Sequence, residues 1–123
     1  MDEKCKKDEI KTLVYEVLER FLKEKFWNKD DFEDFKKITD EWSFSEDLGF
    51  DLLDKCELTM DCEGALEGFR YDGADTIGHE VVLEGLYIDD DAVMKAETVG
   101  DFVEVVRNSV VKSAKKIANK IFG

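Results

Sequence analysis

Near the start of the chain, Ile10, Leu13, Val14, Val17, Leu18, Phe21 and Leu22 follow the three-and-four spacing that lines one face of an α-helix. The spacing predicts a first helix over about residues 8–25 with this face buried. Glu16 with Arg20, and Glu19 with Lys23, stand four apart with the acid first, the order that supports the exposed side of a helix. Between Phe26 and Asp47 no period is sustained, and aromatic residues are scattered among acids. That stretch predicts a long loop, held to the core by Phe32, Phe35, Ile38 and Phe44.

A second helix is expected over residues 52–68, with Leu53, Cys56, Met60 and Leu66 inward and Asp54, Glu57, Asp61 and Glu67 turned elsewhere. Asp51 stands where a helix cap accepts an orphan amide hydrogen bond, and Gly64 and Gly68 weaken the far end. Residues 70–86 show no clear period: Asp72 and Gly73 signal a turn, and His79 to Leu83 fits either a short helix or a strand. The run D-D-D-A-V-M-K-A from Asp89 predicts a short helix over about 90–96, with acids in the first turn where the helix dipole favours them. Thr98, followed three residues later by Asp101, is a capping-box signal for a last helix over 98–122. That helix carries Phe102, Val103, Val106, Val110, Ala114, Ile117, Ala118 and Ile121 at helical spacing. At its full length of about 36 Å it exceeds what a small bundle needs, so its end is expected to project or to frame a partner.

The expected fold class is therefore all-α: three main helices and one short one in a single domain over residues 1–123. Composition agrees, with 43% hydrophobic and 40% charged residues, no proline, and glycines concentrated between Gly49 and Gly100. The net charge of −13 is unevenly spread. Residues 1–28 hold seven basic and seven acidic groups, residues 29–104 hold six and 24, and residues 105–123 hold five and none. So negative a centre disfavours nucleic acid and anionic membranes and favours partners with a basic surface; the same acids also serve solubility. Cys5, Cys56 and Cys62 form neither a disulfide framework nor a zinc spacing. The polar start M-D-E-K-C-K-K-D-E has no apolar core of a secretion signal, and no apolar run is long enough to span a bilayer, so the expected location is cytoplasmic.

The segment from Ser43 to Leu58 reads S-F-S-E-D-L-G-F-D-L-L-D-K-C-E-L. It resembles the acyl carrier proteins, whose corresponding run is S-F-x-E-D-L-G-x-D-S-L-D-x-x-E-L. Ser43, Phe44, Glu46, Asp47, Leu48, Gly49, Asp51, Leu53, Asp54, Glu57 and Leu58 match in register. Ile88, Asp90, Lys95, Thr98, Val99 and the following F-V-E-V-V are similar to the family's third and fourth helices. The resemblance covers most of residues 10–106.

The resemblance implies an acyl-carrier-like bundle, a 4'-phosphopantetheine cofactor, and an acidic second helix offered to fatty acid or polyketide enzymes. Two departures alter that expectation. Leu52 stands where the family's serine carries the prosthetic group, and an isobutyl side chain has no oxygen to form the phosphoester. About seventeen residues, near 70–86, are inserted between helices two and three, and a basic extension over 107–123 lengthens the last helix. The expectation is a monomeric adaptor without a cofactor, which binds partners through Asp51, Leu53, Asp54, Glu57 and Asp61 around Leu52. The alternatives are a working carrier in which Leu52 replaces the natural serine, and a helical acyl or lipid binder with the insertion as a lid. An enzyme using Asp72 with Asp75, or His79 with Glu80, lacks a nucleophile, a phosphate loop or a metal constellation to support it, and His79 is expected to be structural.

Overall fold

A computed structural model describes residues 2–25, 38–72, 76 and 78–122. Its elements in chain order are α1 (Asp2–Lys25), α2 (Leu52–Ala65), β1 (Arg70–Tyr71), β2 (Val81–Val82), α3 (Asp90–Lys95) and α4 (Val99–Phe122). The architecture is mostly helical, consistent with the expected helical class, and includes two short strands. Helix α1 packs against both α2 and α4, and its Ile10, Val14, Val17, Leu18, Phe21 and Leu22 are buried as their spacing predicts. It begins at Asp2, ahead of the expected start, because the leading residues are helix formers without the apolar period that marks an amphipathic face. Of the four expected loop anchors, Ile38 and Phe44 are buried, while Phe32 and Phe35 lie outside the described residues.

The inward face of α2 differs from expectation. Leu53 and Met60 are 64% and 67% exposed, and Cys56 is exposed too; the buried residues are Asp54, Leu58, Thr59 and Cys62. Apolar residues lie on more than one side of this helix, so hydrophobicity alone does not set its rotation. Asp54 turns back to the helix start and inward to Lys25, and the residues four and eight positions later, Leu58 and Cys62, share its buried face. Helix α2 also ends at Ala65, short of residue 68, with buried Leu66 as its C-cap and the next glycine, Gly68, at φ +83°.

The strands within 70–86 resolve the choice left open at His79 to Leu83. Arg70 pairs with Val82 and Tyr71 with Val81 in an antiparallel ladder, flanked by Gly68 N–H to Leu83 O and Leu83 N–H to Phe69 O, both 2.9 Å. Tyr71, Val81 and Leu83 are buried, and β2 packs on α4. The extra length of α4 therefore does not simply project. Val110, Ala114 and Ala118 are fully buried, and only Ile121 and Phe122 in the last turn leave large apolar surface exposed. The hairpin and the long last helix pack on one another through β2. Among the described residues, no helix is long and apolar enough to cross a membrane.

Candidate functional site

The segment 38–50 has no regular structure, yet its backbone is closely tied to the start of α4. Gly100 N–H donates to Asp40 O at 2.8 Å, Val99 N–H to Trp42 O at 2.9 Å, and Phe44 N–H to Glu97 O at 2.9 Å. Asp101 N–H donates to Thr98 Oγ1 at 3.1 Å, and the Asp101 carboxylate accepts from Glu97 and Thr98 N–H, the capping box expected there. Loop carbonyls and a cap thus satisfy the amides that the first turn of a helix leaves unpaired. The approach is so close that a Cβ on Gly100 would lie 2.9 Å from Asp40 Cβ, so this position requires glycine. On the α1 side, Lys11 Nζ bonds Asp40 Oδ2 at 2.9 Å and the Tyr15 hydroxyl donates to Oδ1. The Tyr15 bond lowers the Asp40 pKa, burial opposes it, and Lys11 and Arg107 add to the lowering.

Most of the motif from Ser43 to Leu58 is occupied in making this scaffold. Ser43 N–H donates to Asp47 Oδ2 at 2.6 Å and its hydroxyl accepts from Glu46 N–H at 3.2 Å, closing a side-chain turn. Phe44, Leu48, Phe50 and Leu58 are buried, and Phe44 meets Phe50 and Phe102 with ring centroids 5.6 and 5.8 Å apart. Gly49 takes φ +65°, a conformation that a side chain would strain. Asp51 caps α2 through its Oδ1, accepting Asp54 N–H at 2.9 Å, while Asp54 Oδ2 accepts Asp51 N–H at 3.0 Å.

Asp54 also forms an ion pair with Lys25, whose ammonium lies 5.3 Å from the centroid of the Phe50 ring. Burial alone would raise the Asp54 pKa; the Lys25 ammonium and the Asp51 amide outweigh it and hold the carboxyl below its ordinary value. Asp54 is therefore turned inward and engaged, contrary to its expected outward position. Lys55 is drawn in as well, with Nζ 2.6 Å from Ala96 O, which ties α2 to the junction of α3 and α4.

What remains outside these roles defines the candidate surface. Leu52 is 51% exposed, and with Leu53, Cys56 and Met60 it forms an apolar band along the outside of α2. Glu57 and Asp61 are exposed beside it, Asp51 is exposed at its start, and half-exposed Met94 reaches the same region from α3. A cleft of about 580 Å³ opens next to Leu52, lined by Phe44, Phe50 and Met94 together with polar Ser45, Glu97 and Thr98. Asp51, Leu52, Glu57 and Asp61 are exposed as the sequence suggests, whereas Leu53, Cys56 and Met60, expected on the inward face, are exposed as well.

The His79 and Glu80 pair is not assembled as a site. His79 is exposed and stacks on Phe122, Glu80 approaches Arg70 at 3.7 Å, and Asp75 lies outside the described residues. Among the described residues no group of His, Cys, Asp or Glu is placed to hold a metal. No protein-family model, characterised protein or solved structure matches this chain, and the candidate site rests on its own geometry.

Proposed function

We propose that this protein is a carrier-like adaptor, similar in design to an acyl carrier protein but without a residue to load, and that it works through contacts made by the outer face of α2. The observation that carries the proposal is the apolar band of Leu52, Leu53, Cys56 and Met60, left exposed on an acidic helix beside the exposed Glu57 and Asp61. Exposed apolar side chains ringed by acids suit a partner that presents an apolar pocket inside a basic rim. Enzymes of fatty acid or polyketide synthesis are the class of partner that the resemblance suggests. The chain order of a long first helix, an irregular segment, a capped α2, a short α3 and α4 supports the same reading.

The test is incubation with coenzyme A and a phosphopantetheinyl transferase, read by intact mass. The parent chain should be unchanged, because Leu52 offers no hydroxyl. Leu52→Ser should gain one phosphopantetheine, and adding Glu57→Lys and Asp61→Lys should abolish the gain. Refusal of Leu52→Ser would remove the carrier-like reading of the surface, and modification of the parent chain would remove its non-loadable character. A second reading, an acyl or lipid binder, is favoured by the cleft beside Leu52, whose volume falls in the range of small-molecule sites. A lipid retained through purification and seen by native mass spectrometry would support it.

A further inference from the structure

Helix α4 ends in a surface of opposite character to α2. Lys112, Lys115, Lys116 and Lys120 are exposed there, and among the described residues none forms an ion pair. Ile121 and Phe122, 64% and 46% exposed, add an apolar tip. Four unpaired cations beside two apolar side chains, in a chain with 31 acidic residues, form a complement to the α2 face.

The Leu52 end of the α2 face and the tip lie at opposite ends of α4. The start of α2 adjoins the start of α4: Lys55 bonds Ala96 O, and Phe44 lies between Phe50 and Phe102. Phe122 stands twenty residues beyond Phe102 on the same continuous helix, about 30 Å away at 1.5 Å per residue. Within one molecule the tip is therefore about 30 Å along α4 from the end at which Leu52 sits. Two molecules can bring them together.

We infer that the end of α4 docks on the α2 face of a second copy of this chain, in a head-to-tail contact. Lys115, Lys116 and Lys120 approach Glu57 and Asp61, while Ile121 and Phe122 cover Leu52, Leu53 and Met60. The contact joins different surfaces, so it leaves a free acidic face at one end and a free basic tip at the other and extends into open chains. Net repulsion between copies is screened beyond about 8 Å at physiological salt, whereas the facing charges lie well inside that distance. Self-association covers the same α2 face that the adaptor reading assigns to the partner, so the inference rests on that reading and makes the two contacts mutually exclusive.

Sedimentation equilibrium over a wide concentration range tests it. At about 0.1 M salt the average mass should rise with concentration above the 14.2 kDa monomer, and at about 1 M salt the rise should weaken. A tip variant, Lys115→Glu with Lys116→Glu and Lys120→Glu, should associate at least about tenfold more weakly, and so should a face variant, Glu57→Lys with Asp61→Lys. Mixing the two reversed variants should restore association, because each then meets its opposite charge. A parent chain that keeps its monomer mass at every concentration overturns the inference, as does association that neither variant weakens or that mixing fails to restore. The tip variant carrying Leu52→Ser should still be phosphopantetheinylated, which separates failure of this contact from failure of the α2 reading.

Discussion

The imidazole of His79 lies nearly flat on the ring of Phe122, with centroids 4.0 Å apart and planes 13° from parallel. The pair joins the inserted hairpin to the last turn of α4. Behind it, Thr76 Oγ1 donates to His79 O at 2.6 Å and His79 N–H to Thr76 O at 3.0 Å, which holds His79 in place. His79→Ala and Phe122→Ala should each lower the melting temperature. A double-mutant cycle should show a coupling of about 0.5–1.5 kcal/mol, the value of an aromatic pair beyond its area. Additive losses would mean that the stacking contributes nothing beyond burial.

Asp54 gives the fold a specific acid sensitivity. Its folded pKa lies below the ordinary 3.8, so the unfolded chain takes up the proton first as pH falls. The stability it contributes is present above that ordinary value and is lost as pH drops through it towards the folded pKa. Asp54→Asn should cost about 1–3 kcal/mol at neutral pH by removing the charge facing Lys25, and should flatten the loss of stability below about pH 4. Urea midpoints measured from pH 7 to pH 3 check both. An equal acid slope in parent and variant would show that other carboxylates dominate.

The cysteines of α2 should react very differently. Cys56 is exposed on the outer face, whereas Cys62 is fully buried, and burial together with Asp61 and Glu63 raises its thiol pKa to about 12. In a Cys5→Ser background, a maleimide should label Cys56 within minutes and leave Cys62 untouched until denaturant is added. Peptide mass mapping of the labelled protein distinguishes the two. A bound partner should protect Cys56, since it lies between Leu52 and Met60.

Gly100→Ala should destabilise the start of α4 by about 1–3 kcal/mol, because its Cβ would fall 2.9 Å from Asp40 Cβ and 3.1 Å from Asp40 O. Thermal unfolding checks the loss. Asp40→Gly in the same chain should not recover the parent value, since the backbone oxygen still crowds the new methyl.

At the proposed docking face, Leu52→Asp should speed dissociation of a partner by removing an apolar anchor, and Glu57→Lys should mainly slow association by weakening long-range steering. Binding kinetics at two salt concentrations separate them, because only the association rate should be strongly salt-dependent. Leu52→Asp leaves the core unchanged, so its circular dichroism should match the parent.

The sequence by itself determined the helical elements at both ends of the chain and the start of α2, since the apolar period of α1 and α4, the Asp51 cap and the Thr98–Asp101 pair are local properties of the chain. The resemblance that drew attention to Leu52 is likewise a property of the sequence alone. Only the tertiary structure decided the rotation of α2, which placed Met60 and Cys56 outside and Asp54 inside; Lys25, the partner that draws Asp54 inward, is distant in sequence. Residues 70–86 were equally illegible. A two-residue ladder carries too little period to read, and its strands exist because Leu83, Val81 and Tyr71 have α4 and the bundle to bury against. The length of α4 has the same origin: nothing in the spacing of Val110, Ala114 and Ala118 says what buries them, and the structure packs α4 on α1 and β2.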